Sequence, residues 1–223
     1  MPSDSCTYKA SPEISRSTIY VDGGFLLLPN LFPPEDLNKL EAEAKRARPR
    51  GQRNVWSLPG GADERGGNPD RAFSTGPGAE TQYNLLAAPD LVARLAQACG
   101  LELAITGGGS YSYYEESGDF LGLHRDIVSS ELTVVTCVRS DGAEPDAGML
   151  GAGMLGAGML LVYSNHMNAP LARARGAGKG EATPVPISRG ESVALLGGFV
   201  PHEVTPMLPS QERIVSVMCY RIG

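Results

Sequence analysis

The chain has 223 residues, 42% of them hydrophobic and 20% charged, which is typical of a single folded domain and excludes wholesale disorder. Its 25 acidic and 19 basic residues give a formal charge of −6, so there is no basic field to hold a phosphate backbone, and we expect no nucleic-acid partner. No apolar run approaches the roughly 18 residues of a spanning helix, and the N-terminus is polar. We therefore expect a soluble, cytoplasmic protein without a membrane partner.

The folded domain is predicted to span residues 17–223, after a polar and flexible arm of residues 1–16. The first part of this domain, residues 18–28, is rich in β-forming side chains. A helix is then predicted from about Pro34 to about Arg48. Proline and acidic residues are favoured in a first helical turn, and leucines and alanines follow at helical spacing.

Residues 50–85 contain glycine, proline, asparagine and charge but few apolar runs, and they include the lone Trp56. A loop of this length inside a compact domain is either functional or disordered. We interpret it as a long loop or lid beside a substrate. The alternative is a flexible surface loop without a function. A second helix is predicted to follow, from Pro89 to a stop at Gly100.

From residue 101 onwards the pattern changes to short β-prone segments separated by glycine, proline, aspartate and asparagine. Many short strands joined by such turns are typical of a sandwich or barrel of the jelly-roll type. The predicted fold class is therefore α+β, mainly β, with the N-terminal helices packed on one sheet face. The segments are 101–106, 111–114, 120–124, 132–138, 159–163, 185–187, 192–196 and 213–220.

Residues 146–160 read DAGMLGAGMLGAGML, a tandem repeat of five residues. An odd period reverses the side-chain alternation of a strand, so the three copies cannot all present methionine and leucine to one face. We expect only residues 158–163 to form a core strand, and the repeat indicates no function.

The sequence contains three histidines, of which two are candidate metal ligands. His124 and Asp126 lie two residues apart in a β-prone segment, so their side chains share one face, and Arg125 between them points to the other. His202 follows an apolar segment and a turn and is the candidate third ligand. Two histidines and a carboxylate form the facial triad of non-haem Fe(II) oxygenases. His166 lies in a polar turn, and we expect it at the surface.

Arg213 opens the last β-prone segment, on the same predicted face as Val215 and Val217. A guanidinium on an apolar face needs an anion, and a carboxylate fits its two parallel donors. A metal triad together with a buried arginine predicts a site for iron and a carboxylate-bearing co-substrate.

These features resemble the Fe(II)- and 2-oxoglutarate-dependent oxygenases, most closely the prolyl-hydroxylase-like branch. The order and spacing of the matching stretches are similar to those of the family across residues 101–223. The stretches are YYEESGDFLGLHRD (113–126), LTVVT (132–136), GMLLVY (158–163), GESVALL (190–196), and HEVTP running on to ERIVSV (202–217).

The resemblance implies a double-stranded β-helix, with iron held by His124, Asp126 and His202. It also implies that Arg213 binds the distal carboxylate of 2-oxoglutarate, with help from a tyrosine of the strand before the first histidine. That tyrosine is Tyr114 or, failing that, its neighbour Tyr113.

The implied activity uses Fe(II), 2-oxoglutarate and O₂ to oxidise a C–H bond and releases succinate and CO₂. Hydroxylation is the default outcome, and the expected substrate is a small molecule such as an amino acid or a natural-product intermediate. Two alternatives stay open: a non-catalytic barrel that binds a metal or ligand, and a cupin-type dioxygenase that needs no 2-oxoglutarate. Arg213 separates them, because only the first hypothesis needs an anion-binding arginine beside the triad.

Overall fold

The computed structural model describes residues 9–57, 65, 67–141 and 158–223. The helices are α1 (Pro12–Arg16), α2 (Thr18–Val21), α3 (Pro34–Ala47), α4 (Glu80–Leu86), α5 (Pro89–Cys99) and α6 (Leu171–Ala177). The strands are β1 (Phe25–Leu28), β2 (Gln52–Trp56), β3 (Arg71–Pro77), β4 (Leu103–Tyr114), β5 (Phe120–His124), β6 (Leu132–Asp141), β7 (Leu160–Val162), β8 (Thr183–Val185), β9 (Ser192–Leu195), β10 (His202–Val204) and β11 (Glu212–Ile222).

The strands form one antiparallel sheet in the order β1-β9-β6-β11-β4-β3-β5-β10-β7-β8, with β2 paired to β3 beside this path. Strands β7 and β9 lie near opposite ends of the order, yet Leu160 and Val162 pack in the same buried cluster as Val193 and Leu195. The sheet is therefore curled over its own apolar side chains. This architecture confirms the predicted jelly-roll fold class.

The helices cover the outer face of the sheet. Leu40 of α3 and Leu95 of α5 are fully buried in one cluster with Tyr111 and Tyr113 of β4. Both predicted helices are confirmed, and α5 ends as expected at Gly100, which adopts a left-handed φ of +68°. No helix in the part of the chain that the structure describes is long and apolar enough to cross a membrane.

The N-terminal part differs from the prediction. Within residues 18–28 only β1 is a strand, because α2 occupies the first four residues, and helix α1 lies inside the stretch that was expected to be a flexible arm. Each of the two helices begins with a serine cap, since Ser11 accepts from the Ile14 N–H and Ser17 from the Tyr20 N–H.

Residues 50–85 also differ from the expected long loop, since they contain β2, β3 and α4. Strand β3 inserts between β4 and β5, with Ser74 opposite Tyr113 and Arg71 opposite Leu121. Its backbone hydrogen bonds are completed by distant strands, which a local pattern does not reveal. Residues 58–64 and 66 lie outside the described residues.

The glycine-rich repeat lies mostly outside the described residues, which resume at 158. Its last copy leads into β7, in agreement with the core strand expected for residues 158–163. Strand β10 was not predicted, and its backbone partners are the distant strands β5 and β7.

Candidate metal centre

The three predicted ligands come together at the paired ends of β5 and β10. His124 is the last residue of β5 and lies directly opposite His202, the first residue of β10. The carboxylate oxygen Oδ1 of Asp126 lies 3.4 Å from Nε2 of His124 and 3.7 Å from Nε2 of His202. All three potential ligand atoms are within 4.8 Å of one another. The arrangement therefore has the donor set and the spacing to hold a metal ion.

Backbone carbonyls fix the orientation of both imidazoles. Nδ1 of His124 lies 2.9 Å from the Gly122 carbonyl oxygen, and Nδ1 of His202 lies 3.0 Å from that of Val200. A carbonyl only accepts, so each Nδ1 carries a proton, and Nε2 is the nitrogen of each ring that faces Asp126. Both rings are thus oriented so that a metal would bind through Nε2.

Asp126 is held from two sides. Its Oδ2 accepts a hydrogen bond of 2.6 Å from the Thr133 hydroxyl, and its backbone N–H donates to the Gly197 carbonyl at 2.8 Å. A Cβ atom at Gly197 would lie only 1.9 Å from Oδ2. The carboxylate therefore occupies space that a side chain at position 197 would fill.

The electrostatics of the cluster favour a cation. Burial acts to raise the pKa of Asp126, but the hydrogen bond and charge of His124 and the charge of His202 outweigh it and hold the pKa well below its usual range. Burial, followed by repulsion from His124, lowers the pKa of His202 to about 4. At neutral pH the site thus contains an ionised carboxylate and a neutral His202, the forms in which these groups bind metals.

A cavity of about 250 Å³ extends from the triad through the interior of the sheet. Apolar side chains form much of its wall, and Arg213 lies on the same wall as Val215 and Val217, as the alternation of the sequence predicted. The Arg213 side chain is buried and donates through one terminal nitrogen to the Gly158 carbonyl. Its Nε is buried and has no hydrogen-bond partner among the described residues. The cavity thus combines a group that could hold a metal ion with a buried cation that is incompletely paired among the described residues.

No protein-family model and no curated protein matches the chain. Solved structures match it over most of its length. A prolyl-4-hydroxylase from Pseudomonas putida aligns with a TM-score of 0.57 at 19% identity, covering 92% of this chain and 96% of that chain. The non-heme alpha ketoglutarate dependent carbocyclase SnoK, from nogalamycin biosynthesis, aligns with a TM-score of 0.63 at 15% identity, covering 97% and 85%.

The chain has the fold of the 2-oxoglutarate/Fe(II) oxygenases. A third structure of this fold is HygX from Streptomyces hygroscopicus, solved with nickel and 2-oxoglutarate bound, at a TM-score of 0.59 and 13% identity. It covers 96% of this chain and is itself covered over 87%. The resemblance read from the sequence motifs is confirmed at the level of the fold. Activity is a property of the site and not of the fold.

Within this oxygenase fold the two candidate tyrosines lie on opposite faces of β4. Tyr114 stands opposite Arg213 in the sheet, lines the cavity and stacks on Phe73 with ring centroids 5.1 Å apart. Tyr113 instead points to the helices and donates to the Ala44 carbonyl at 2.8 Å. Burial raises the pKa of Tyr114, so its hydroxyl stays protonated. Of the two, only Tyr114 is placed to contact a ligand in the cavity.

His166 is separate from the triad. Its Nε2 lies 3.1 Å from Oε2 of Glu181, and the group of potential metal ligands among the described residues does not include it. Its side chain is partly buried and not fully at the surface as expected.

Sequence reasoning missed the residues that surround the ligands. Arg65, which lies between β2 and β3 in the chain, points to the carbonyls of Asp126 and Ile127 at 3.5 and 3.3 Å, and its guanidinium lies 5.0 Å above the Phe199 ring. Arg65 belongs to the segment expected to act as a lid, and it contacts the backbone that carries Asp126. The sequence signal available for Gly197 was its place in the Gly-Gly pair that begins five residues before His202.

Proposed function

We propose that the protein is an Fe(II)- and 2-oxoglutarate-dependent dioxygenase that oxidises, by default hydroxylates, a C–H bond of a small molecule. The observation that carries the proposal is that one cavity contains both the His124, Asp126 and His202 group and the buried Arg213. A metal ion alone would not account for the buried guanidinium of Arg213. A co-substrate that binds the metal at one end and offers a carboxylate at the other accounts for both.

The residues present fit an iron ion. Two imidazole nitrogens and one carboxylate oxygen converge, which is the donor set of non-haem Fe(II) sites that leave further positions open. When bound, Fe(II) supplies the activation of O₂ that is coupled to decarboxylation of 2-oxoglutarate to succinate and CO₂.

Arg213 and Tyr114 are the residues that we assign to the distal carboxylate of 2-oxoglutarate. They face each other on neighbouring strands, and the guanidinium offers two parallel donors of the geometry that a carboxylate accepts. Arg213 now donates to the neutral carbonyl of Gly158. A ligand carboxylate that accepted this hydrogen bond instead would form a stronger one, because it is charged. The apolar side chains of Phe73, Ile187 and Val215 line the same cavity as Arg213 and Tyr114.

The proposed substrate is an amino acid or a natural-product intermediate. Among the solved structures of this fold, HygX has been determined with hygromycin B and the epimerase SnoN with nogalamycin RO, whereas one prolyl hydroxylase holds a peptide fragment. The first two support a small molecule, and the third makes a peptide the competing outcome.

The test is succinate release from 2-oxoglutarate by the Fe(II)-loaded protein in air, screened against amino acids, natural-product intermediates and short peptides. We expect one class of compound to raise succinate release above the background without substrate and to gain oxygen in equal amount. The His124→Ala and Asp126→Ala variants should lose this activity, and the His166→Ala variant should keep it. Metal binding without 2-oxoglutarate binding would favour the non-catalytic barrel, and O₂ uptake independent of 2-oxoglutarate would favour the cupin-type dioxygenase.

A further inference from the structure

Arg125 stands between two of the metal-ligating residues in the chain, but its side chain points away from the cavity. It is only 1% exposed and is one of the largest fully buried side chains in the described part of the protein. Its guanidinium donates to three backbone carbonyls: Nε to Phe199 at 2.9 Å, and one terminal nitrogen to His166 at 2.9 Å and Ala169 at 2.7 Å.

The three carbonyls belong to segments that border His202. Phe199 lies in the turn before β10, next to the Val200 carbonyl that orients the His202 ring. His166 and Ala169 follow β7, whose Val162 pairs with His202 from the other side. Arg125 thus joins the end of β5 to both chain segments that flank the third ligand.

A packing role alone does not require an arginine. Burying a guanidinium is costly unless its donors are paired, and a methionine would fill similar volume without that cost. The planar guanidinium has a property that an apolar side chain lacks, since its donors fix several acceptors at set angles in one plane. The neighbouring Asp126 N–H binds the Gly197 carbonyl of the same turn, so that turn is tied to β5 at two points.

We propose that Arg125 is a positioning residue that holds His202 at the correct distance from His124 and Asp126 before a metal binds. This inference rests on the metal site of the proposed function and adds the element that assembles it. Without Arg125 the turn before β10 loses the hydrogen bond at Phe199 and keeps the one between the Asp126 N–H and the Gly197 carbonyl. The three ligands then have to be brought together during binding, which weakens the affinity for the metal.

The experiment measures binding of Co(II), alone and without 2-oxoglutarate, by its visible absorption bands. Removing a residue that orients metal ligands typically weakens metal binding by about 10- to 100-fold. We expect that range for Arg125→Met, together with altered absorption bands. For Arg125→Lys we expect an intermediate loss, because a single ammonium cannot reproduce the planar donors. The control is Leu95→Ala in α5, which removes fully buried side-chain volume from a helix outside the segments that Arg125 joins. It should lower the thermal unfolding temperature and leave Co(II) affinity within about twofold of the wild type.

Co(II) affinity within about twofold of the wild type in both Arg125 variants would overturn the inference. An equal loss in Leu95→Ala would overturn it as well, since general destabilisation would then explain the effect. If Arg125→Met does not fold, Arg125→Lys decides: a loss of at least about threefold supports the inference, and a smaller one contradicts it. Retention of Co(II) by His124→Ala would instead contradict the proposed function, so the two failures are distinguishable.

Discussion

Thr133 and Asp126 are linked so that the two carboxylate oxygens have separate roles. The Thr133 hydroxyl donates to Oδ2 at 2.6 Å, whereas Oδ1 faces the Nε2 atoms of His124 and His202. Thr133 lies on β6 and Asp126 follows β5, so the contact joins two parts of the chain that are not hydrogen-bonded neighbours in the sheet. The hydroxyl therefore leaves a single oxygen of Asp126 directed at the metal position.

Thr133→Val should weaken metal binding, because the carboxylate loses the donor that fixes its rotation. Partners of this kind typically contribute about 10- to 100-fold to metal affinity. The measurement is a Co(II) or Fe(II) titration. Thr136→Val is the matched control, since Thr136 is buried on the same strand but pairs with Ser192. Equal affinities in the two variants would contradict the role assigned to Thr133.

Gly197→Ala should remove metal binding almost completely. The added Cβ would meet Oδ2 of Asp126 at 1.9 Å, so the carboxylate or the turn must move. Gly176→Ala, where the added Cβ has no neighbour within 4 Å, is the matched control and should bind metal normally. The test is metal content after anaerobic loading and desalting, and stoichiometric metal in Gly197→Ala would show that the geometry at Asp126 is not required.

Arg213→Ala should weaken 2-oxoglutarate binding by roughly ten- to a hundredfold or more. A charge-assisted pair of this kind contributes about 1.5–3 kcal/mol, and about 1.4 kcal/mol corresponds to a factor of ten. Arg213→Lys should restore only part of the affinity. Metal affinity should stay unchanged, because Arg213 is not a ligand. The check is a titration of the metal-loaded protein with 2-oxoglutarate, and wild-type affinity in Arg213→Ala would refute the assignment.

Tyr114→Phe and Tyr113→Phe form a matched pair of neighbours that face opposite ways. A neutral hydrogen bond contributes about 0.5–1.5 kcal/mol, so Tyr114→Phe should weaken 2-oxoglutarate binding by roughly two- to tenfold. Tyr113→Phe should leave that affinity unchanged and lower the free energy of unfolding by about 1 kcal/mol, because its hydroxyl binds the Ala44 carbonyl. Binding titration and denaturant unfolding measure the two effects. The opposite pattern would contradict the assignment of Tyr114 to the carboxylate of 2-oxoglutarate.

The sequence by itself determined the elements whose signal is local. Leucine and alanine at helical spacing fixed α3, and a proline start with a glycine stop fixed α5. The two-residue offset of His124 and Asp126 put both on one face, since side chains alternate along any strand. The same alternation placed Arg213 with Val215 and Val217. The three residues that the structure brings together could therefore be named before any tertiary contact was known.

Only the tertiary structure decided which face of each strand is the inner one. Alternation separates Tyr113 from Tyr114, but the pairing of β4 with β11 and the packing of α3 select Tyr114 for the cavity. Strand β3 could not be predicted from the sequence for a related reason, since its backbone hydrogen bonds are formed with β4 and β5. Thr133 and Gly197 reach Asp126, and the Phe199 carbonyl reaches Arg125, only through strand register and turns. Those depend on distant pairing and on the exclusion of water from the whole core, which no short window of sequence contains.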